Sequence, residues 1–177
     1  MQMRNYRGLF GAAAALALAF GAVPAAAETL TFHVALDGKY GDAPTGSAAT
    51  GKATVKVDTE RGRVSLDMNI KGITADDLWD KLVAGPIGPI HFHKYATPEG
   101  GAAVLVLPVP YGASYQPTED GLRVTVKDYD YAAGAALLKS TLTFDAFVEA
   151  LRSGLVILNV HTDKFNPGEI SGKVKGG

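Results

Sequence analysis

Residues 29–36, TLTFHVAL, alternate between apolar and polar side chains. Leu30, Phe32, Val34 and Leu36 fall on one side of an extended chain, and Thr29, Thr31 and His33 on the other. A period of two fits a strand with one face in a core and one in water, and it does not fit a helix. The pattern recurs at once. Ala53, Val55 and Val57 alternate with Lys52 and Lys56, and Val64, Leu66, Met68 and Ile70 alternate with Ser65, Asp67 and Asn69. Asp58-Thr59-Glu60-Arg61-Gly62 between them reads as a turn, with Gly62 able to take a left-handed conformation. Solvated polar faces of this kind belong to antiparallel sheets. His33 is expected to face solvent.

Further strand candidates are Ile90 to Tyr95, Ala102 to Val109, Leu122 to Val126, Leu155 to Thr162 and Glu169 to Val174. Asp37 to Thr50, Thr97 to Gly101, Tyr111 to Asp120 and Asp163 to Gly168 read as loops from their Gly, Pro and Asp content. Pro108 and Pro110 are expected to end the strand before them, since proline donates nothing to a ladder. Two short helices interrupt the strands. Thr74 caps the first, Asp76 and Asp77 favour the positive end of its dipole, and Gly85-Pro86 ends it. Its apolar side is Leu78, Trp79 and Leu82, and Trp79, the one tryptophan, is expected to pack as core or over a sheet edge. Thr143 caps the second helix, in which Phe144, Phe147, Val148 and Leu151 share a face and which Gly154 stops. About seven or eight short strands with two helical insertions imply an all-β, antiparallel, two-layer fold rather than a βαβ array.

The chain has 177 residues, the length of one domain. Its 17 basic and 18 acidic residues balance to a net charge of −1, which gives no electrostatic footprint for nucleic acid. The first 27 residues stand apart. Arg4 and Arg7 precede an apolar stretch from Leu9 to Val23, and Pro24 leads into Ala25-Ala26-Ala27. This is the pattern of a secretory signal peptide cut after Ala27. Residues 28–177 are then the exported domain, periplasmic or secreted, with no membrane span after cleavage. The chain contains no cysteine. The fold therefore has no disulfides, a lipoprotein is excluded, and any metal site must use His, carboxylate or backbone oxygen.

Four histidines are present, and three of them fall in two motifs. His91 and His93 lie one residue apart in PIHFHKY, so on a strand they point the same way with Cα atoms roughly 6.5–7 Å apart. His161 lies in LVILNVHT. If that segment neighbours or faces the first, three imidazoles converge, a donor set suited to zinc or copper. Their ring nitrogens would then lie roughly 3–4.5 Å from one another. Asp163 and Glu169 are candidate oxygen ligands or acceptors that orient an imidazole. The alternative is that the histidines are hydrogen-bonded to loop carbonyls or carboxylates. Tyr111, Tyr115, Tyr129 and Tyr131 offer a second candidate, a tyrosine-lined binding surface. The chain has no G-x-S-x-G, H-E-x-x-H or P-loop motif and no cysteine, so no catalytic nucleophile is marked.

PIHFHKYATPEGGAAVLVL resembles the block of the CHRD family, first described in chordin, in which H-x-H is followed by a glycine loop and an apolar strand. GLVILNVHTDKFNPGEISGKV resembles that family's closing block, with Val160-His161-Thr162 and Pro167-Gly168-Glu169-Ile170 matching residue by residue. Lys94 and Ser171 depart from it, standing where the family usually has Gly and Arg. The resemblance spans roughly Thr29 to Val174. It implies a Greek-key or Ig-like β-sandwich and a non-catalytic binding module, with protein, glycan or metal ion as the partner. The H-x-H on a sandwich strand is also similar in geometry to copper–zinc superoxide dismutases, although their disulfide, zinc loop and arginine have no match here.

Overall fold

The alternating segments form strands with one buried and one solvated face. In a computed structural model that describes residues 28–40 and 44–176, Thr29–Asp37 (β1), Thr50–Asp58 (β2) and Arg63–Lys71 (β3) make an antiparallel meander. Phe32 stands opposite Val55, and Val55 opposite Leu66. Gly62 takes the left-handed conformation expected of it, with φ +63°. The expected signal peptide, residues 1–27, lies outside the described residues.

Seven more strands follow: Ile90–Thr97 (β4), Gly100–Val109 (β5), Tyr115–Pro117 (β6), Gly121–Asp130 (β7), Val156–Val160 (β8), Ile170–Lys173 (β9) and Lys175–Gly176 (β10). The all-β antiparallel expectation holds, with ten strands in place of seven or eight. They form one hydrogen-bonded path, β5-β4-β8-β9-β1-β2-β3-β7-β6, with β10 paired to β1. Two layers are reached by one sheet that curls on itself. Strand twist accumulates across so many strands, and the inner faces of both halves meet in a single core. Pro108 does not end β5 but lies within it, opposite His91. On the path β5 has a neighbour on one side only, and an edge strand tolerates a residue without an N–H.

The first helix is broken where one was expected. Residues Ala75–Asp77 form a 3₁₀ turn and Asp80–Val83 a single α turn (α1). Between them Leu78 is extended, fully buried and bridged to Thr162. Thr74 and Asp77 make the reciprocal capping box at the start. A helix not expected from the sequence runs over Tyr131–Leu137 (α2), capped by Asp130, whose carboxylate accepts from the Ala133 amide at 3.1 Å. Gly134 lets α2 lie close against β5, because a Cβ there would come within 2.7 Å of Leu107. The last helix, Phe144–Arg152 (α3), is as expected: Thr143 caps it, and Phe147, Val148 and Leu151 are buried.

Phe147 links α3 to the strand that carries the paired histidines. It meets Phe92 edge-on, ring centroids 6.5 Å apart at 88°, and stacks on Tyr131 at 4.9 Å. Replacing Phe147 with alanine removes both contacts and leaves a cavity, a loss of about 3–5 kcal/mol. Urea unfolding of Phe147→Ala should show that loss, and an unchanged midpoint would contradict the packing described.

Candidate metal centre

The alternation of β4 divides its residues cleanly. Ile90 and Phe92 enter the core, and His91 and His93 point to the other side of the sheet. A bulge sharpens the division: Phe92 pairs with Leu107 but His93 with Leu105, so β5 carries an extra residue, Val106, between them. Bulges locally re-aim side chains. On its other edge β4 pairs with β8, His91 opposite Asn159 and Ile90 opposite Val160. His161 is the residue just past β8 rather than a strand residue. Its backbone is nonetheless fixed on both sides, donating to the Pro89 carbonyl at 2.9 Å and accepting from the Trp79 amide at 3.1 Å.

These constraints bring the three imidazoles together. One ring nitrogen from each lies within 4.8 Å of the others, slightly wider than expected. His91 Nδ1 and His161 Nε2 are 3.1 Å apart. Two nitrogens bound at about 2.05 Å to a tetrahedral ion stand roughly 3.3 Å apart, so this pair is already near chelating distance. His161 Nδ1 lies 2.8 Å from the Asn166 carbonyl. A carbonyl only accepts, so Nδ1 carries the proton and Nε2 keeps its lone pair, the tautomer a metal ligand needs. His91 Nε2 is buried with no hydrogen-bond partner among the described residues.

His91 and His161 are buried and His93 half-buried. Burial pushes the His91 pKa down to about 3, the neighbouring His161 and His93 adding to the effect and the Gly88 backbone opposing it. Burial lowers His161 as well, against the pull of the Asn166 carbonyl. Both rings are therefore neutral near pH 7, as ligation requires.

Neither proposed carboxylate joins the cluster. Asp163 is exposed and its carboxylate accepts from the Asp80 amide at 3.3 Å, at the start of α1. Glu169 is buried, with one oxygen accepting from Ser47 at 2.6 Å and the other from Thr162 at 2.7 Å. It thus braces the residue after His161 and ties the segment before β2 to it. Asn166 and Trp79 were not marked by sequence reasoning. Asn166 acts through a backbone carbonyl, which no side-chain pattern signals. Its side chain closes the same loop by donating to the Thr162 carbonyl at 3.0 Å. Trp79, expected as core or over a sheet edge, is half-buried and lies 6.5 Å from His161 between ring centroids.

The four tyrosines do not form one surface. Tyr115 is buried and its hydroxyl donates to the Val109 carbonyl at 2.7 Å. Tyr131 is buried at the start of α2 and donates to the Leu142 carbonyl at 2.9 Å. Large rings at strand and helix ends fill the core here, which leaves Tyr111 exposed and Tyr129 half-buried. His33 faces solvent as expected, 3.5 Å from the Thr54 hydroxyl. Ser171 takes no charged partner; its hydroxyl donates to the Asn159 side chain.

A family model for the CHRD domain matches residues 32–174. No curated protein and no solved structure matches the chain.

The buried imidazoles make stability depend on pH. Folded His91 protonates near pH 3 and unfolded His91 near 6.5. Between those values the unfolded chain binds more protons, so stability falls as the pH drops. From His91 alone the loss is about 2 kcal/mol by pH 5. Urea unfolding at pH 7 and pH 5 should show at least that difference, and in His91→Gln the difference should shrink by the same amount. An identical pH response in the two proteins would contradict the buried neutral ring.

Proposed function

The chain belongs to the CHRD domain family, and from that premise we propose that it is an exported, non-catalytic binding protein whose site takes one copper or zinc ion on His91, His93 and His161. One observation carries the reading: three imidazole nitrogens lie within 4.8 Å of one another, with no carboxylate among them in the described residues. The 3.1 Å approach of His91 Nδ1 to His161 Nε2 and the preset tautomer of His161 support it. Three nitrogen donors without thiolate suit Zn²⁺ or Cu²⁺ and leave further coordination to water or a partner's group. His93, the half-buried member, lies nearest solvent. Asp163 and Glu169, the nearby acids that a hydrolytic site would use, are turned to other partners, which favours binding over catalysis. Export is supported by Arg4 and Arg7, the apolar stretch after them and Ala25-Ala26-Ala27.

Calorimetric titration with Zn²⁺ and Cu²⁺ tests the site. A single ion should bind per chain. His93→Ala, which spares the buried core, should weaken binding by more than about 100-fold, beyond the loss typical of groups that only orient a ligand. His33→Ala, an exposed histidine outside the cluster, should leave binding unchanged. Equal binding by the native chain and His93→Ala would refute the assignment. The mass of the protein recovered outside the cytoplasm should correspond to a chain that begins at Glu28.

A further inference from the structure

The balanced net charge conceals a segregation. On the outer face of the β1–β2–β3 meander the solvated positions align by register: His33 stands opposite Thr54, Thr54 opposite Asp67, Lys52 opposite Asn69, and Lys175 opposite His33. These side chains line a groove of about 740 Å³, to which Lys173 and Tyr40 also contribute. A second groove of about 370 Å³ continues from it, sharing Thr54 and Asp67 and adding Lys56, Ser65, Thr125 and Lys127. Five lysines thus line one continuous trough, and the one acid among its described lining residues, Asp67, is held by Arg123 at 2.9 Å. Lys173 donates to the Pro98 carbonyl.

The lining identifies a class of occupant. Lys52 and Lys56 stand on the same strand face roughly 13 Å apart, with Thr54 between them, so cationic and neutral hydrogen-bonding positions alternate along the trough. The exposed large hydrophobics among the described residues, Val104, Tyr111 and Leu137, all lie elsewhere, and of the trough's own apolar lining Val34, Ala53 and Leu66 are buried in the core, so no large apolar side chain stands out to anchor a protein partner. Tyr40 is the one tyrosine, phenylalanine or tryptophan among its described lining residues, too few for a stacking platform that reads nucleic-acid bases. Hydroxyls, amides and regularly placed ammonium groups match a chain of hydroxyl-rich units that carry periodic negative charge.

We propose that this trough binds an anionic polysaccharide bearing carboxylate or sulfate groups. Binding there uses the solvated face of β1, β2 and β3 and does not depend on a metal at the histidines.

Affinity electrophoresis and calorimetry with polygalacturonate and dextran sulfate test it, with unsubstituted dextran, single-stranded DNA and polyphosphate as comparisons. The native chain should bind the two acidic polysaccharides saturably and dextran not at all. Lys52→Gln/Lys56→Gln/Lys175→Gln should bind about tenfold or more weakly at low ionic strength. Lys81→Gln/Lys139→Gln/Lys164→Gln removes the same charge elsewhere and should bind as the native chain does. All three proteins should unfold at the same temperature, and Lys52→Gln alone should give an intermediate loss. Equal weakening in both triple variants would reduce the effect to net charge and overturn the proposal. So would the absence of binding, or tighter binding to DNA or polyphosphate than to either acidic polysaccharide.

Discussion

An imidazole taken out of water must shed its proton or find an anion, and among the described residues no carboxylate lies with His91 and His161 in their cluster. The local structure follows from that. The rings are neutral, and their nitrogens must be satisfied by neutral groups. The Asn166 carbonyl takes the proton side of His161, and the other side of that ring meets His91. This chain of contacts ends at His91 Nε2, which has no hydrogen-bond partner among the described residues. A buried polar atom without a partner is costly. That cost, together with two ring nitrogens that already stand 3.1 Å apart, is why we propose an ion site here rather than packing alone.

The geometry is held by backbone rather than by side-chain charge. β4 and β8 share a ladder that sets His91 beside Asn159. The bridge from Leu78 to Thr162 and the bonds of His161 to Pro89 and Trp79 hold the residue beyond the strand end. Glu169 adds a buried brace through Thr162. On the far side of β4, Phe92 is locked against Phe147. The period of two thus couples core packing on one face of β4 to histidine placement on the other.

Much of this was legible in the residues and some was not. The meander from Thr29 to Lys71 and the helix over Phe144–Arg152 follow from periodicity and caps, which are local signals. The shared direction of His91 and His93 follows from strand alternation alone. The approach of His161 does not, since it depends on β8 pairing with β4 across about seventy residues and on a loop that begins one residue past the strand. The strand-like LVILNVHT made His161 a candidate, and the closing block of the CHRD pattern supported grouping it with the H-x-H pair. The break of the first helix at Leu78 was hidden because burial of that side chain against the Thr162 segment overrides local helix propensity. Tyr115 and Tyr131 looked like surface residues because they sit at element ends, yet their rings fill the core and their hydroxyls find backbone carbonyls. The segregation of lysines was invisible to net charge and emerges only when strands are placed in register.

The central claim is that three imidazoles, and no carboxylate, hold one ion. X-ray absorption at the metal edge of the zinc- or copper-loaded protein measures this directly. The account predicts a first shell with three imidazole nitrogens at about 2.0–2.1 Å, recognisable by scattering from the outer ring atoms, and at most one or two further light ligands. A first shell dominated by oxygen, or one containing a single imidazole, would place the ion elsewhere and leave His91, His93 and His161 as a buried hydrogen-bonded cluster.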